Sequence, residues 1–255
     1  MNKRKKTGRV LVWIGLALSM TAASFAQTSP RESKILESFS LEENIRGLAA
    51  SGSLLWSIDS ERGVLLQVSK QKRAVLKRLK IETPRLRTLT GDGKVLWGSG
   101  EDPRKLFCLD AANGKIIRIL EIRAEKTAGV ESLEALAWDG KSLWAGYSAG
   151  WSSRILRIDP ESGVIKGSFY SEGIPRGLTA DGTYLWMATY NEGKYPSLLA
   201  RWTIQDDSGK MSLSHRFIVR LPGKNPVGLA REGKAFWYAD QDKKTIVKIR
   251  VPEEN

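Results

Sequence analysis

The stretch Ile174–Tyr190, IPRGLTADGTYLWMATY, carries the pattern that decides the fold. Its Asp-Gly pair sits between two apolar runs, where a tight hairpin needs a residue tolerant of positive φ. The run YLWMA is apolar on both faces, as a strand sandwiched between neighbouring sheets should be. The same arrangement recurs five times: IRGLAASGSLLWSID from Ile45, LRTLTGDGKVLWGSG from Leu86, LEALAWDGKSLWAGY from Leu133, PRGLTADGTYLWMAT from Pro175 and PVGLAREGKAFWYAD from Pro226. The starts lie 41, 47, 42 and 51 residues apart. Leucine holds the fourth position (Leu48, Leu89, Leu136, Leu178, Leu229) and glycine the eighth (Gly52, Gly93, Gly140, Gly182, Gly233). Tryptophan holds the twelfth (Trp56, Trp97, Trp144, Trp186, Trp237). An indole at one fixed place supplies a large contact area between layers.

Two further strands follow each hairpin. GVLLQVS, RKLFCLD, SRILRID, LLARWTI and TIVKIRV read as third strands, and AVLKRLK, KIIRILEI, GVIKGSFY and HRFIVRL as fourth strands reached through turns such as DAANG and DPESG. Four strands every 41–51 residues make the blade of a β-propeller. The fifth repeat lacks a fourth strand, and KILESFS at 34–40 resembles the missing piece. Pairing of 34–40 with 244–251 would close the ring and remove two open sheet edges. The expectation is an all-β, five-bladed propeller of four-stranded blades over 34–255, preceded by a linker at 27–33.

Residues 1–26 read as a signal peptide. Lys3, Arg4, Lys5, Lys6 and Arg9 precede the apolar run VLVWIGLALSM, and Ser24 and Ala26 occupy the −3 and −1 positions of a cleavage site. The run is short for a bilayer span of about 20 residues, so an exported chain without a transmembrane segment is expected. Cys108 is the only cysteine, so stability must come from packing rather than from an intrachain disulfide. Removing the five basic residues of the leader lowers the net charge from +13 to +8. Those charges are dispersed, which favours a solvated surface over an anionic-polymer site, and in an exported protein nucleic acid is the less natural partner.

In a ring of blades, equivalent positions converge on the axis. The second repeat position holds Arg46, Arg87, Glu134, Arg176 and Val227. The end of the second strand returns to the same face with Asp59, Tyr147, Tyr190 and Asp240. Three guanidiniums in a central depression suit a carboxylate, phosphate or sulfate; alternatively they pair with Glu134, Asp59 and Asp240 and staple the blades. Longer connections in blades three and four add Trp151, Lys194 and Tyr195 to the rim. His215 is the sole histidine, which leaves a histidine-based metal site or a Ser–His–Asp triad without partners. No phosphate-loop pattern follows the GDG or WDG pairs. The residues point to a binding module for an anionic small molecule, glycan or peptide, or for an envelope protein. No cofactor is expected, and the chain is expected to be a monomer.

The pattern GLAxDGxxLWxA … RIDPxSG resembles bacterial extracytoplasmic propellers of the YVTN, NHL and quinoprotein-like repeat class. A narrower resemblance is to five-bladed glutamine cyclotransferases, which implies cyclisation of an N-terminal glutamine to pyroglutamate by polar and acidic residues in the central channel. Where that family has F-T-Q-G-L, this chain has NIRGL at 44–48, with Arg46 in place of glutamine. Where it has L-x-E-S-T-G, this chain has LLWSID at 54–59, with Trp56 in place of glutamate. On that resemblance, Glu134 is the channel carboxylate nominated for proton transfer.

Overall fold

Each repeat folds back at its glycine, and the computed structural model describes residues 30–82, 85–123, 132–149, 152–191, 193, 195–205 and 211–253. The signal peptide expected at 1–26 lies outside the described residues. The chain opens with β1 (Arg31–Glu32) and β2 (Lys34–Ser40). Blade one is β3 (Ile45–Ser51), β4 (Leu54–Asp59), β5 (Val64–Ser69) and β6 (Ala74–Lys80). Blade two is β7 (Thr88–Gly91), β8 (Val95–Ser99), β9 (Lys105–Asp110) and β10 (Ile116–Glu121). Blade three is β11 (Ser132–Trp138), β12 (Leu143–Ala149), β13 (Ser152–Ile158) and β14 (Ile165–Ser171). Blade four is β15 (Ile174–Ala180), β16 (Tyr184–Tyr190), β17 (Leu198–Ile204) and β18 (Met211–Arg220). Blade five has β19 (Pro226–Glu232), β20 (Ala235–Asp240) and β21 (Thr245–Arg250), with β2 as its outer strand. Each blade is an antiparallel meander, and the described residues contain strands and no helix.

The ring closes as the sequence requires. β2 pairs antiparallel with β21 from Lys34↔Arg250 to Ser40↔Thr245. Phe39 anchors the closing strand, its ring 6.3 Å edge-on from that of Trp237. Of the segment expected as a linker at 27–33, residues 31–33 are tied down. β1 runs parallel to the edge of β18, and Ser33 Oγ donates to the Arg220 carbonyl at 2.7 Å. Two residues of strand are too short to leave a periodic signal, so this strap across blades four and five is visible only in the fold.

The core is divided among the five blade boundaries. One cluster joins blades one and two through Trp56, Leu89 and Leu96; another joins blades three and four through Trp144, Leu178 and Trp202. The remaining three fill the other seams, including Leu48, Leu55 and Trp237 between blades five and one. The repeat tryptophans therefore lie between sheets, and cations cover four of them. Arg118 lies 5.4 Å from the Trp97 ring, Arg157 5.4 Å from Trp144, Arg201 5.5 Å from Trp186 and Lys248 4.9 Å from Trp237. Part of the dispersed positive charge is thus spent on cation–π packing. At the axis the innermost strands approach so closely that the third repeat position admits little. A Cβ on Gly228 would sit 2.5 Å from the Leu48 amide nitrogen, so this seam requires glycine.

Candidate functional site

The second repeat position forms one mouth of the axial depression. Arg46 on β3, Arg87 just before β7, Glu134 on β11 and Arg176 on β15 line a cavity of about 390 Å³. Arg176 is fixed from three sides. Its guanidinium donates to Glu134 Oε2 at 3.0 Å and to Asn225 Oδ1 at 3.2 Å, and it lies 5.9 Å from the Tyr190 ring centroid. Glu134 also accepts a short hydrogen bond from Ser132 Oγ, so both of its oxygens are engaged. This ion pair bridges blades three and four and leaves each side chain about one-fifth exposed (19% and 20%).

Arg46 is different. Its guanidinium makes no hydrogen bond or ion pair among the described residues. Burial lowers its pKa from the ordinary arginine value, and the neighbouring Arg176 and Arg87 charges push in the same direction. Glu134 and Glu61 oppose that effect without cancelling it. A partly buried guanidinium beside two others is an electrostatic cost.

The structure adds residues that the repeat frame did not single out. Two positions before each of these residues, at the beginning of the innermost strand, stand Asn44, Arg85, Ser132, Ile174 and Asn225. Arg85 joins the cavity as a fourth guanidinium, exposed and without a partner among the described residues. Asn44 Nδ2 donates to Glu61 Oε1 at 2.8 Å, and Ser60 completes the wall. Asn225, which receives Arg176, donates in turn to Asp242 Oδ1 at 3.0 Å. A polar residue at this position in four of five blades was the available signal. The mouth holds four arginines against two glutamates.

Other expected members do not join them. Asp59 turns away from Arg46 into the chain reversal that follows β4, where Oδ1 accepts the amides of Glu61 and Arg62, each at 3.1 Å. Asp240 is buried and caps its own turn, accepting the Lys243 amide at 3.4 Å. Tyr147 is buried and donates its hydroxyl to the Pro103 carbonyl at 2.8 Å; burial, with Asp102 nearby, raises its pKa. Tyr190 does reach the site, beneath Arg176. Tyr195 is exposed (65%) and does not line this cavity. Trp151 and Lys194 lie outside the described residues. Cys108 is buried in the seam between blades two and three, and burial raises its thiol pKa. Among the described residues no group of three histidine, cysteine or acidic side chains is placed to hold a metal. None of the described helices could cross a membrane, since the described residues form none.

No protein-family model matches the chain, and no curated protein does. Solved structures match it over most of its length. The glutaminyl cyclase of Myxococcus xanthus aligns with a TM-score of 0.62 at 12% identity, over 89% of this chain and 100% of that one. A PQQ-bound aldose sugar dehydrogenase from Streptomyces coelicolor aligns with a TM-score of 0.57 at 12% identity, over 88% and 100%. The β-propeller domain of Cps50 (Swd1) from Myceliophteria thermophila aligns with a TM-score of 0.54 at 12% identity, over 86% and 100%. At such identities the likeness is one of architecture, and what the chain shares with all three is the β-propeller fold.

Proposed function

We propose that the protein is an exported binding module whose arginine-lined mouth takes an anionic ligand, either a small molecule or an anionic group on a glycan or peptide. The observation that carries this reading is that the Arg46, Arg85 and Arg87 guanidiniums lack partners among the described residues, whereas both terminal nitrogens of Arg176 beside them are bonded. Cations needed only to staple blades would be paired as Arg176 is. Guanidiniums held together in a cavity of about 390 Å³ are instead neutralised by an incoming carboxylate, phosphate or sulfate, which each can bind through two parallel N–H donors. The clamped Arg176 gives the site a fixed reference point, and the unpaired three can adapt to the anion.

The test is thermal unfolding of residues 27–255 in phosphate, sulfate and citrate against sodium chloride at matched ionic strength. An anion at about a hundred times its dissociation constant should stabilise by about 2.7 kcal/mol. The double substitution Arg46→Ala/Arg87→Ala should abolish that gain. Equal stabilisation of the wild type and the double variant would overturn the reading.

A cyclotransferase-like activity is the second reading, supported by the shared architecture with a glutaminyl cyclase and by Glu134 at the mouth. Glu134 would have to leave Arg176 and Ser132 to move a proton. Trp56, at the place where the resemblance calls for glutamate, is buried between blades one and two. Ammonia release from a glutaminyl peptide, lost on Glu134→Gln, would establish this activity; absence of turnover would remove it.

A further inference from the structure

The innermost strands have a second end, about 13 Å from the arginine mouth at roughly 3.3 Å per residue over four residues. Here a separate cavity of about 410 Å³ opens among the hairpins. Five equivalent residues line it from the sixth repeat position: Ala50, Gly91, Trp138, Ala180 and Arg231. Three are small and leave the mouth open. The other two, an indole from blade three and a guanidinium from blade five, stand half-buried in that space.

Arg231 is held there by an acid of the neighbouring blade. In blades three and five, the acid before the hairpin glycine receives the tryptophan indole: Trp144 Nε1 donates to Asp139 at 2.7 Å, and Trp237 Nε1 to Glu232 at 2.8 Å. In blade four the equivalent acid, Asp181, gives its Oδ2 to Arg231 across the blade boundary. The Trp186 indole N–H is left buried without a partner. An orphaned buried donor costs about 1–3 kcal/mol. Arg231 is further oriented by donation from its Nε to the Gly233 carbonyl at 2.9 Å. The indole bond of blades three and five is thus absent from blade four, as it is from blade one, where the Trp56 indole is also buried without a partner; in blade four the acid is instead engaged by Arg231.

We infer that this second mouth is a binding site for a neutral pyranose. Trp138 offers a flat apolar face for the C–H side of a sugar ring. The Arg231–Asp181 pair offers donors beside acceptors, to which vicinal hydroxyls are complementary, and the Thr90 and Thr179 hydroxyls add two more polar groups. Because Asp181 neutralises Arg231, the site does not select for an anion, unlike the opposite mouth. Its volume lies within the range of about 300–1,000 Å³ usual for small-ligand sites.

The test is saturation-transfer NMR on residues 27–255 with the methyl glycosides of glucose, galactose, mannose and N-acetylglucosamine at millimolar concentrations. At least one should show saturation concentrated on the protons of one ring face. That signal should fall at least tenfold in Trp138→Ala and in Arg231→Ala, persist in part in Trp138→Phe, and be unchanged in Arg46→Met. Thermal unfolding of each variant establishes that it is folded. Absence of saturation with all four glycosides overturns the inference, as does binding that survives both alanine substitutions. Binding lost in Arg46→Met also overturns it, because the sugar would then sit at the arginine mouth.

Discussion

Replacing Arg46 by methionine should make the empty protein more stable and its anion response weaker. Arg46 is partly buried, and its charged form is disfavoured first by desolvation and then by Arg176 and Arg87. The sign is fixed by that depression. A cation whose folded pKa lies below its unfolded value is a liability at every pH where it is charged, and arginine stays charged throughout the working range. Methionine keeps the apolar stem and removes the charge. Water still reaches the guanidinium, so the gain is discounted to about 0.5–1 kcal/mol, which is within the range for relieving an unfavourable functional residue. For a domain of this size that corresponds to a rise of about 1–2 °C in melting temperature. The assay is scanning fluorimetry at low ionic strength, with and without citrate, on wild type and variant. The variant should melt higher alone and gain less from citrate. The reasoning is refuted if Arg46→Met melts lower than wild type and still gains fully from citrate, because Arg46 would then be a structural staple.

Phe39→Ala should cost about 3–4 kcal/mol in urea unfolding, because it empties the anchor of the closing strand, whereas Ile35→Ala on the same strand, half exposed at 50%, should cost under about 1 kcal/mol. The Glu232 carboxyl is held down at about 2: desolvation opposes ionisation, but hydrogen bonds from Lys70, Lys248 and Trp237 outweigh it. Its stabilisation is present above the ordinary carboxylate value and is lost as pH falls from about 4.5 towards about 2. With the side chain 37% exposed, Glu232→Gln should remove only about 1 kcal/mol of that acid-dependent stability, read as a shallower fall in urea midpoint between pH 5 and pH 2.5. Lys244 has φ +51, in the place where related turns carry glycine, so Lys244→Gly should raise the urea unfolding free energy by about 0.5–1 kcal/mol.

The architecture could be read from the chain because its cause is local and repeated. Leu48, Gly52 and Trp56 each have a counterpart under the same physical demand in every blade, and one missing strand identified its own replacement at 34–40. The site was legible only where it shared that frame: Arg46, Arg87, Glu134 and Arg176 were found because position two converges on the axis. Arg85, Asn44 and Asn225 precede the anchored segment, next to connections whose length varies from blade to blade. Asp59 shows why strand ends misled. The segment DSERG at 59–63 has the spacing of the turns DAANG at 110–114 and DPESG at 159–163. In all three the glycine amide returns to the aspartate carbonyl, at 2.8–2.9 Å, while the aspartate carboxylate binds the next amides. Sequence places Asp59 on the correct face, but the turn takes its side chain.

Five-fold repetition also supplies a reference state inside the molecule. A side chain that the fold needs should be present in every blade, as leucine is at position four. A residue that is not shared by every blade, and is held where it is against a local cost, calls for another cause. Both mouths meet that criterion in different ways. At one end the cost is electrostatic: Arg46 stands charged beside Arg176 and Arg87. At the other it is an unpartnered donor: Asp181 serves Arg231, and the Trp186 indole N–H lacks the acceptor that its counterparts have in blades three and five. Restoring the repeat should therefore stabilise at both ends. Replacing Arg231 by alanine, as in blades one and four, frees Asp181 for the Trp186 indole. If Arg231→Ala lowers the melting temperature instead, the ion pair is part of the scaffold and the cost at that mouth has been misread.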